Sequence, residues 1–107
     1  MVYYRNIEND QVLTLEELKT DFDNFKKEDP TNYDMSFSAY LQDCLSKNGS
    51  LEKLLSADDI RNARKNVDLY VYTDNGIFDG AYSVYFDCVF FCIPSNRIIY
   101  GYSIAHK

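Results

Sequence analysis

The apolar residues of this chain change their spacing near residue 67, and that change restricts the possible folds more than any other feature. Between residues 14 and 66 they recur three to four positions apart, the period of a helix with one buried face. From residue 67 to about 106 they alternate with polar residues or run together as aromatic and β-branched stretches, the habit of strands. Helices followed by strands predict an α+β fold, with N-terminal helices packed on one face of a C-terminal three-stranded antiparallel sheet. At 107 residues the chain can bury a core of its own, and it reads as a single domain over 1–107.

The helical half carries its own punctuation. Thr14 followed by Glu17 is a capping box, and Leu15, Leu18, Phe22 and Phe25 then make one apolar stripe. Pro30 cannot continue a helix, so this one stops near Glu28 or Asp29. A second helix starts at Ser36, carries Phe37, Tyr40, Leu41, Cys44 and Leu45 on one face, and stops at Asn48-Gly49. Leu51, Leu54 and Leu55 read as a short helical turn. Ser56 caps a third helix, with Asp58 and Asp59 at its positive end and Arg61, Arg64 and Lys65 at its negative end. Ahead of all these, Val2 to Arg5 read as a short strand or arm.

In the other half, Leu69 to Thr73 is a strand ended by Asp74-Asn75-Gly76. Asp79-Gly80 is a second turn signal, which puts Ile77 and Phe78 in a loop. One long strand is predicted from Ala81 to Cys92, with Tyr82, Val84, Phe86, Cys88, Phe90 and Cys92 on a common face. A turn at Pro94-Ser95-Asn96 leads to a last strand from Ile98 to about His106. Its bulky residues, Ile98, Tyr100, Tyr102 and Ile104, share one face.

Three arrangements bear on chemistry. Cys44, Cys88, Cys92 and His106 together match a closed zinc site of three thiolates and one imidazole. Four residues of continuous strand, however, would hold Cys88 and Cys92 roughly 13 Å apart. Each cysteine also falls on an apolar face, where a buried thiol behaves as a small hydrophobe. The reading is therefore no metal and no cofactor, with structural zinc as the alternative. His106 is the single histidine and stands next to the last residue, a poor place for a catalytic base. The adjacent acids Glu16-Glu17, Glu28-Asp29 and Asp58-Asp59 are explained by helix ends, and Asp87, within an aromatic run, by exposure. Nothing here predicts an enzyme.

Charge is distributed unevenly. The formal net charge is −6, and the stretch from Glu8 to Asp34 alone carries nine acids against three lysines. That segment therefore holds the whole chain's net charge. An acidic balance disfavours direct binding to nucleic acid or an anionic membrane, and favours a basic protein partner. The predicted contact residues are Glu16, Glu17, Asp23 and Glu28 on the outward side of the first helix, continued by Asp29 and Asp34. No stretch approaches the ~20 apolar residues of a membrane span. Met1-Val2-Tyr3-Tyr4-Arg5-Asn6 also lacks the basic-then-apolar order of a secretory signal, so a cytoplasmic setting is expected, with the three cysteines as free thiols.

The first half also resembles a module of small proteins encoded by phages and prophages of Firmicutes. The resemblance lies in Tyr3-Tyr4, in Glu8-Asn9-Asp10-Gln11-Val12-Leu13-Thr14-Leu15-Glu16-Glu17-Leu18, and in Tyr33. It continues through Phe37-Ser38-Ala39-Tyr40-Leu41-Gln42-Asp43-Cys44 and Asn48-Gly49-Ser50-Leu51-Glu52. Some small acidic proteins of that setting are anti-CRISPR inhibitors of type II RNA-guided DNA nucleases, and several of these compete with DNA for the nuclease's basic channel. The resemblance implies an inhibitor of this kind in an infected bacterial cell, a DNA mimic binding a type II effector nuclease and blocking target-DNA loading. The alternatives are a small zinc-binding structural or interaction module and an oligomeric accessory phage protein.

Overall fold

A computed structural model of the protein describes residues 2–32, 34–91 and 97–105. The chain divides into two compact units, Met1–Lys53 and Leu54–Lys107. The protein is α+β, but the single three-stranded sheet of the sequence reading is replaced by two sheets, one of three strands and one of four.

In the first unit, β1 (Tyr3–Asn6) lies between β2 (Val12–Thr14) and β3 (Leu51–Lys53), antiparallel to both. Arg5 ties this small sheet together, with Asp10 at 2.7 Å on one side and Glu52 at 2.5 Å on the other. Helix α1 (Leu15–Glu28) begins at the predicted capping box: Glu17 N–H donates to Thr14 Oγ1 at 3.2 Å and Thr14 N–H to Glu17 Oε1 at 3.1 Å. A 3-10 turn (Pro30–Asn32) follows, then α2 (Phe37–Leu45), capped by Ser36. Leu18 joins Tyr4, Leu13 and Leu51 in the core, against which Phe37, Leu41, Cys44 and Leu45 pack. Phe22 stacks on the rings of Phe37 and Tyr40 at 5.6 and 5.1 Å. Leu15, expected in the buried stripe, stays exposed at the first turn.

Leu51 and its neighbours do not form a helical turn. Leu51 is in β3 opposite Asn6 and faces the first core, whereas Leu54 and Leu55 belong to the second unit. Their three-and-four spacing imitates a helix because a unit boundary falls between Lys53 and Leu54.

The second unit opens with α3 (Ala57–Ala63), whose capping box pairs Ser56 with Asp59 and whose end is a left-handed Arg64. Four antiparallel strands follow: β4 (Val67–Thr73), β5 (Gly76–Ser83), β6 (Cys88–Phe91) and β7 (Ile99–Ile104), in the order β6-β5-β4-β7. Ile60 of α3 covers one sheet face, packing with Leu69, Val71, Tyr82 and Tyr102.

Two strand expectations are overturned here. Residues 77 and 78 are not loop, because β5 runs straight through Asp79-Gly80. Gly80 pairs with Leu69 on one side and Phe91 on the other, and a Cβ there would lie 2.9 Å from the Phe90 carbonyl oxygen. Close approach of backbone, rather than a turn, is what needs glycine at this position. The long strand from Ala81 to Cys92 is also broken, by a turn over residues 84–87 that folds β6 back onto β5. The turn reverses the face pattern. Tyr82 pairs with Val89, so Val89 and Phe91 share its inner face, while Cys88 and Phe90 are on the outer face. The last strand runs from Ile99 to Ile104, with Tyr102 inward and Ile98 and Ile104 exposed. The expected turn at Pro94-Ser95-Asn96 lies outside the described residues.

Candidate functional site

Helix α1 concentrates the acids of the first unit. At about 100° per residue, Glu16 and Asp23 form one row along the helix and Glu17, Asp21 and Glu28 a second. Thr20 and Asn24 lie between the rows. All five carboxylates are exposed. Asp21 was not among the predicted contact residues; its place in the second row is legible from its spacing of four from Glu17.

Lys27 is exposed and lies by the row of Glu16 and Asp23, four residues after Asp23, but makes no ion pair among the described residues; the other two lysines of α1 turn away from the rows. Lys26 Nζ sits 4.8 Å above the centre of the Phe22 ring, and Lys19 Nζ 5.8 Å from that of Phe37. Both ammonium groups are drawn toward the aromatic flank of the helix by the rings' negative faces. Among the described residues, Glu16, Asp23, Glu28 and Asp34 make no ion pair. Glu17 and Asp29, also predicted as contacts, are occupied locally. The first closes the capping box; the second accepts from Thr31 Oγ1 at 2.6 Å. Asp34 is exposed beyond the 3-10 turn.

The second unit presents a different surface. The turn over residues 84–87 carries Tyr85 and Phe86, and these rings stack edge to face at 4.9 Å, with Phe90 following at 5.7 Å. The turn is held from three sides. Tyr82 Oη donates to Asp87 Oδ1 at 2.6 Å, Val84 N–H to Asn66 Oδ1 at 2.8 Å, and Asp87 N–H to the Val84 carbonyl at 3.3 Å. Asp87 adopts φ 50°, a left-handed conformation that Asp tolerates better than most residues. The visible signal was an Asp inside an aromatic run; reading it as merely exposed missed the turn.

Tyr82 and Tyr102 both hold their protons above the ordinary phenol range. For Tyr82 the main cause is the hydrogen bond to the Asp87 carboxylate; for Tyr102 it is burial. A folded phenol with a raised pKa binds its proton more tightly than the unfolded one. The resulting stabilisation is complete below about pH 10, the unfolded value, and is lost as pH rises through the folded values. Alkaline titration is therefore expected to unfold the protein with late, cooperative ionisation of these two phenols and of Tyr40, whose pKa burial also raises, followed by tyrosinate absorbance and circular dichroism together. Tyr82→Phe is expected to lower the melting temperature at pH 7 and to remove one late-titrating phenol.

Of the candidate zinc set, Cys44 is half-buried against the first core, but Cys88 is exposed on the outer face of β6, contrary to the expectation of a buried thiol. Cys92 and His106 lie outside the described residues. Among the described residues, no three His, Cys, Asp or Glu side chains gather in metal-binding proximity, and no helix is long and apolar enough to cross a membrane. Comparison with family models, with curated proteins and with solved structures matches this chain to none of them.

Proposed function

We propose that this protein is an inhibitor of the anti-CRISPR kind, which binds a type II RNA-guided effector nuclease and blocks target-DNA loading through the acidic surface of α1. The observation that carries the reading is the acidic outer side of that helix, where Glu16, Asp21, Asp23 and Glu28 are exposed with Lys27 among them and make no ion pair among the described residues, while Lys19 and Lys26 lie over Phe37 and Phe22. A duplex presents phosphates at regular intervals to a basic channel. Carboxylates one and two helical turns apart, roughly 6 and 11 Å, present charge on a similar scale to the same lysines and arginines. The phage-like module of the first half points to the same class of partner. Charge steering makes such a contact fast and salt-sensitive.

The test is a pull-down of the protein with a guide-loaded type II nuclease, with and without target DNA. Capture that prior target DNA prevents, and that weakens steeply between low and physiological salt, is the expected result. Failure to bind any of several such nucleases overturns the reading.

A further inference from the structure

The two edges of the four-stranded sheet are treated differently. The outer edge of β7 is covered by Leu55, whose N–H donates to the Tyr102 carbonyl at 2.8 Å and whose carbonyl accepts from the Tyr102 N–H at 2.9 Å. At the other end, β6 pairs only with β5 among the described residues. Edge strands that must stay single are kept short or carry charge, proline or a bulge. β6 is short, at four residues, but Cys88, Val89, Phe90 and Phe91 bring neither charge nor proline to the edge.

Beside this open edge lies a continuous aromatic surface on the outer face. Tyr85 is 88% exposed, Phe86 65% and Phe90 49%. Taking about 200 Å² for an aromatic side chain, they leave roughly 400 Å² of ring surface in water. That is the size of the largest apolar patch on a typical monomer, which is often functional, and about half of the ~800 Å² a stable interface takes from each partner. A groove of about 560 Å³ runs alongside, lined by Asp79, Gly80, Ala81, Val89, Phe90 and Phe91.

We infer that a second copy of this chain occupies this surface, with the two β6 strands pairing antiparallel about a twofold axis to make one eight-stranded sheet. Charge favours a copy over a basic partner at this place. Leu54–Lys107 carries six acids and five bases, a net −1, whereas Met1–Lys53 carries eleven acids and six bases, a net −5. Face parity then restricts the register. A twofold axis normal to the sheet keeps each face on its own side, so outer-face residues must meet outer-face residues. Phe90 therefore stands opposite Phe90 or Cys88 of the other copy, Cβ atoms about 5 Å apart, and the two aromatic clusters join across the axis.

The experiment is sedimentation of the full chain over a wide concentration range, with Phe90→Lys and, separately, Tyr85→Ser combined with Phe86→Ser. Phe90, Tyr85 and Phe86 are exposed, so both variants are expected to keep the wild-type circular dichroism. A wild-type dimer whose Kd rises about 100-fold or more in each variant is the expected result. A second readout uses Phe90→Cys, which under mild oxidation is expected to yield a covalent dimer. The introduced thiol would pair either with its counterpart in the other copy or with that copy's Cys88. A wild type that sediments as a monomer at high concentration overturns the inference, as does a dimer indifferent to both variants. Amide protection of Cys88–Phe91 appearing only on addition of a partner protein also overturns it, assigning the edge to that partner's strand instead.

Discussion

On the inhibitor reading proposed above, Glu16→Lys, Asp23→Lys and Glu28→Lys, made together, are expected to weaken binding to a guide-loaded type II nuclease by about 100-fold or more. Each substitution changes the local charge by two, so the formal net charge of the chain goes from −6 to 0. These residues make no ion pair among the described residues, so their reversal leaves no buried partner stranded. Glu17 is left in place because its carboxylate accepts the Thr14 N–H and its own N–H is capped in return; reversing it would confuse loss of contact with loss of helix. Lysine is a good helix former, and Glu28→Lys even suits the negative end of α1. Glu16→Lys works against the helix dipole by about 0.5 kcal/mol, too little to unfold the unit. The association rate is expected to fall most, and the salt dependence of what binding remains to flatten. Inhibition undiminished by the triple reversal would remove α1 from the interface.

Gly49→Ala is expected to destabilise the first unit by about 3 kcal/mol and to lower its melting temperature by roughly 15 °C, measured by circular dichroism. A Cβ at residue 49 would lie 2.0 Å from the Cys44 carbonyl oxygen and 2.6 Å from that of Asp43. Both are backbone atoms at the end of α2, so no side-chain rotation relieves the clash. The chain must pass this close because Leu51, two residues on, pairs with Asn6 and fills the core beside Tyr4 and Leu13. Ser50→Ala, exposed and one residue away, is the control and is expected to stay within about 0.5 kcal/mol of wild type. A Gly49→Ala protein as stable as the control would mean that the end of α2 yields, and that the close approach does not hold β3 in place.

How much of this was legible follows the range of the interactions involved. The capping box at Thr14, the N-cap at Ser56 and the stop at Pro30 were read correctly because each depends on residues within one helical turn. The strand ending at Asp74-Asn75-Gly76 was equally local. Apart from the end of α2, which comes at Leu45 rather than at Asn48-Gly49, and Leu15, which stays exposed, the errors concern residues whose role is set from a distance. Gly80 imitates a turn residue, yet it is a strand residue that lets Phe91 and Leu69 approach. Leu51, Leu54 and Leu55 imitate a helical stripe, yet Leu51 and Leu55 serve two separate cores. The aromatic run from Tyr82 to Phe91 imitates one long strand, because part of the hold on the turn within it comes from Asn66, 18 residues before Val84.

For the candidate surfaces the division is the same. The acidic rows of α1 follow from sequence alone, since a helix of known start and period places every carboxylate on a known side. That Lys19 and Lys26 withdraw toward aromatic rings does not follow, because Phe37 reaches α1 only through the packing of α2. Nor does the exposure of Tyr85, Phe86 and Phe90. Strand alternation records which residues share a face only while the strand continues, and a turn that pairs Tyr82 with Val89 reverses it. The first helix with both its ends, the starts of the other two and the seat of the charge are properties of neighbours along the chain, and the order of residues is enough to place them. The number of sheets, the open edge at β6 and the outward aromatic cluster came only with the packed fold. Strand pairing joins residues whose separation along the chain leaves no local mark.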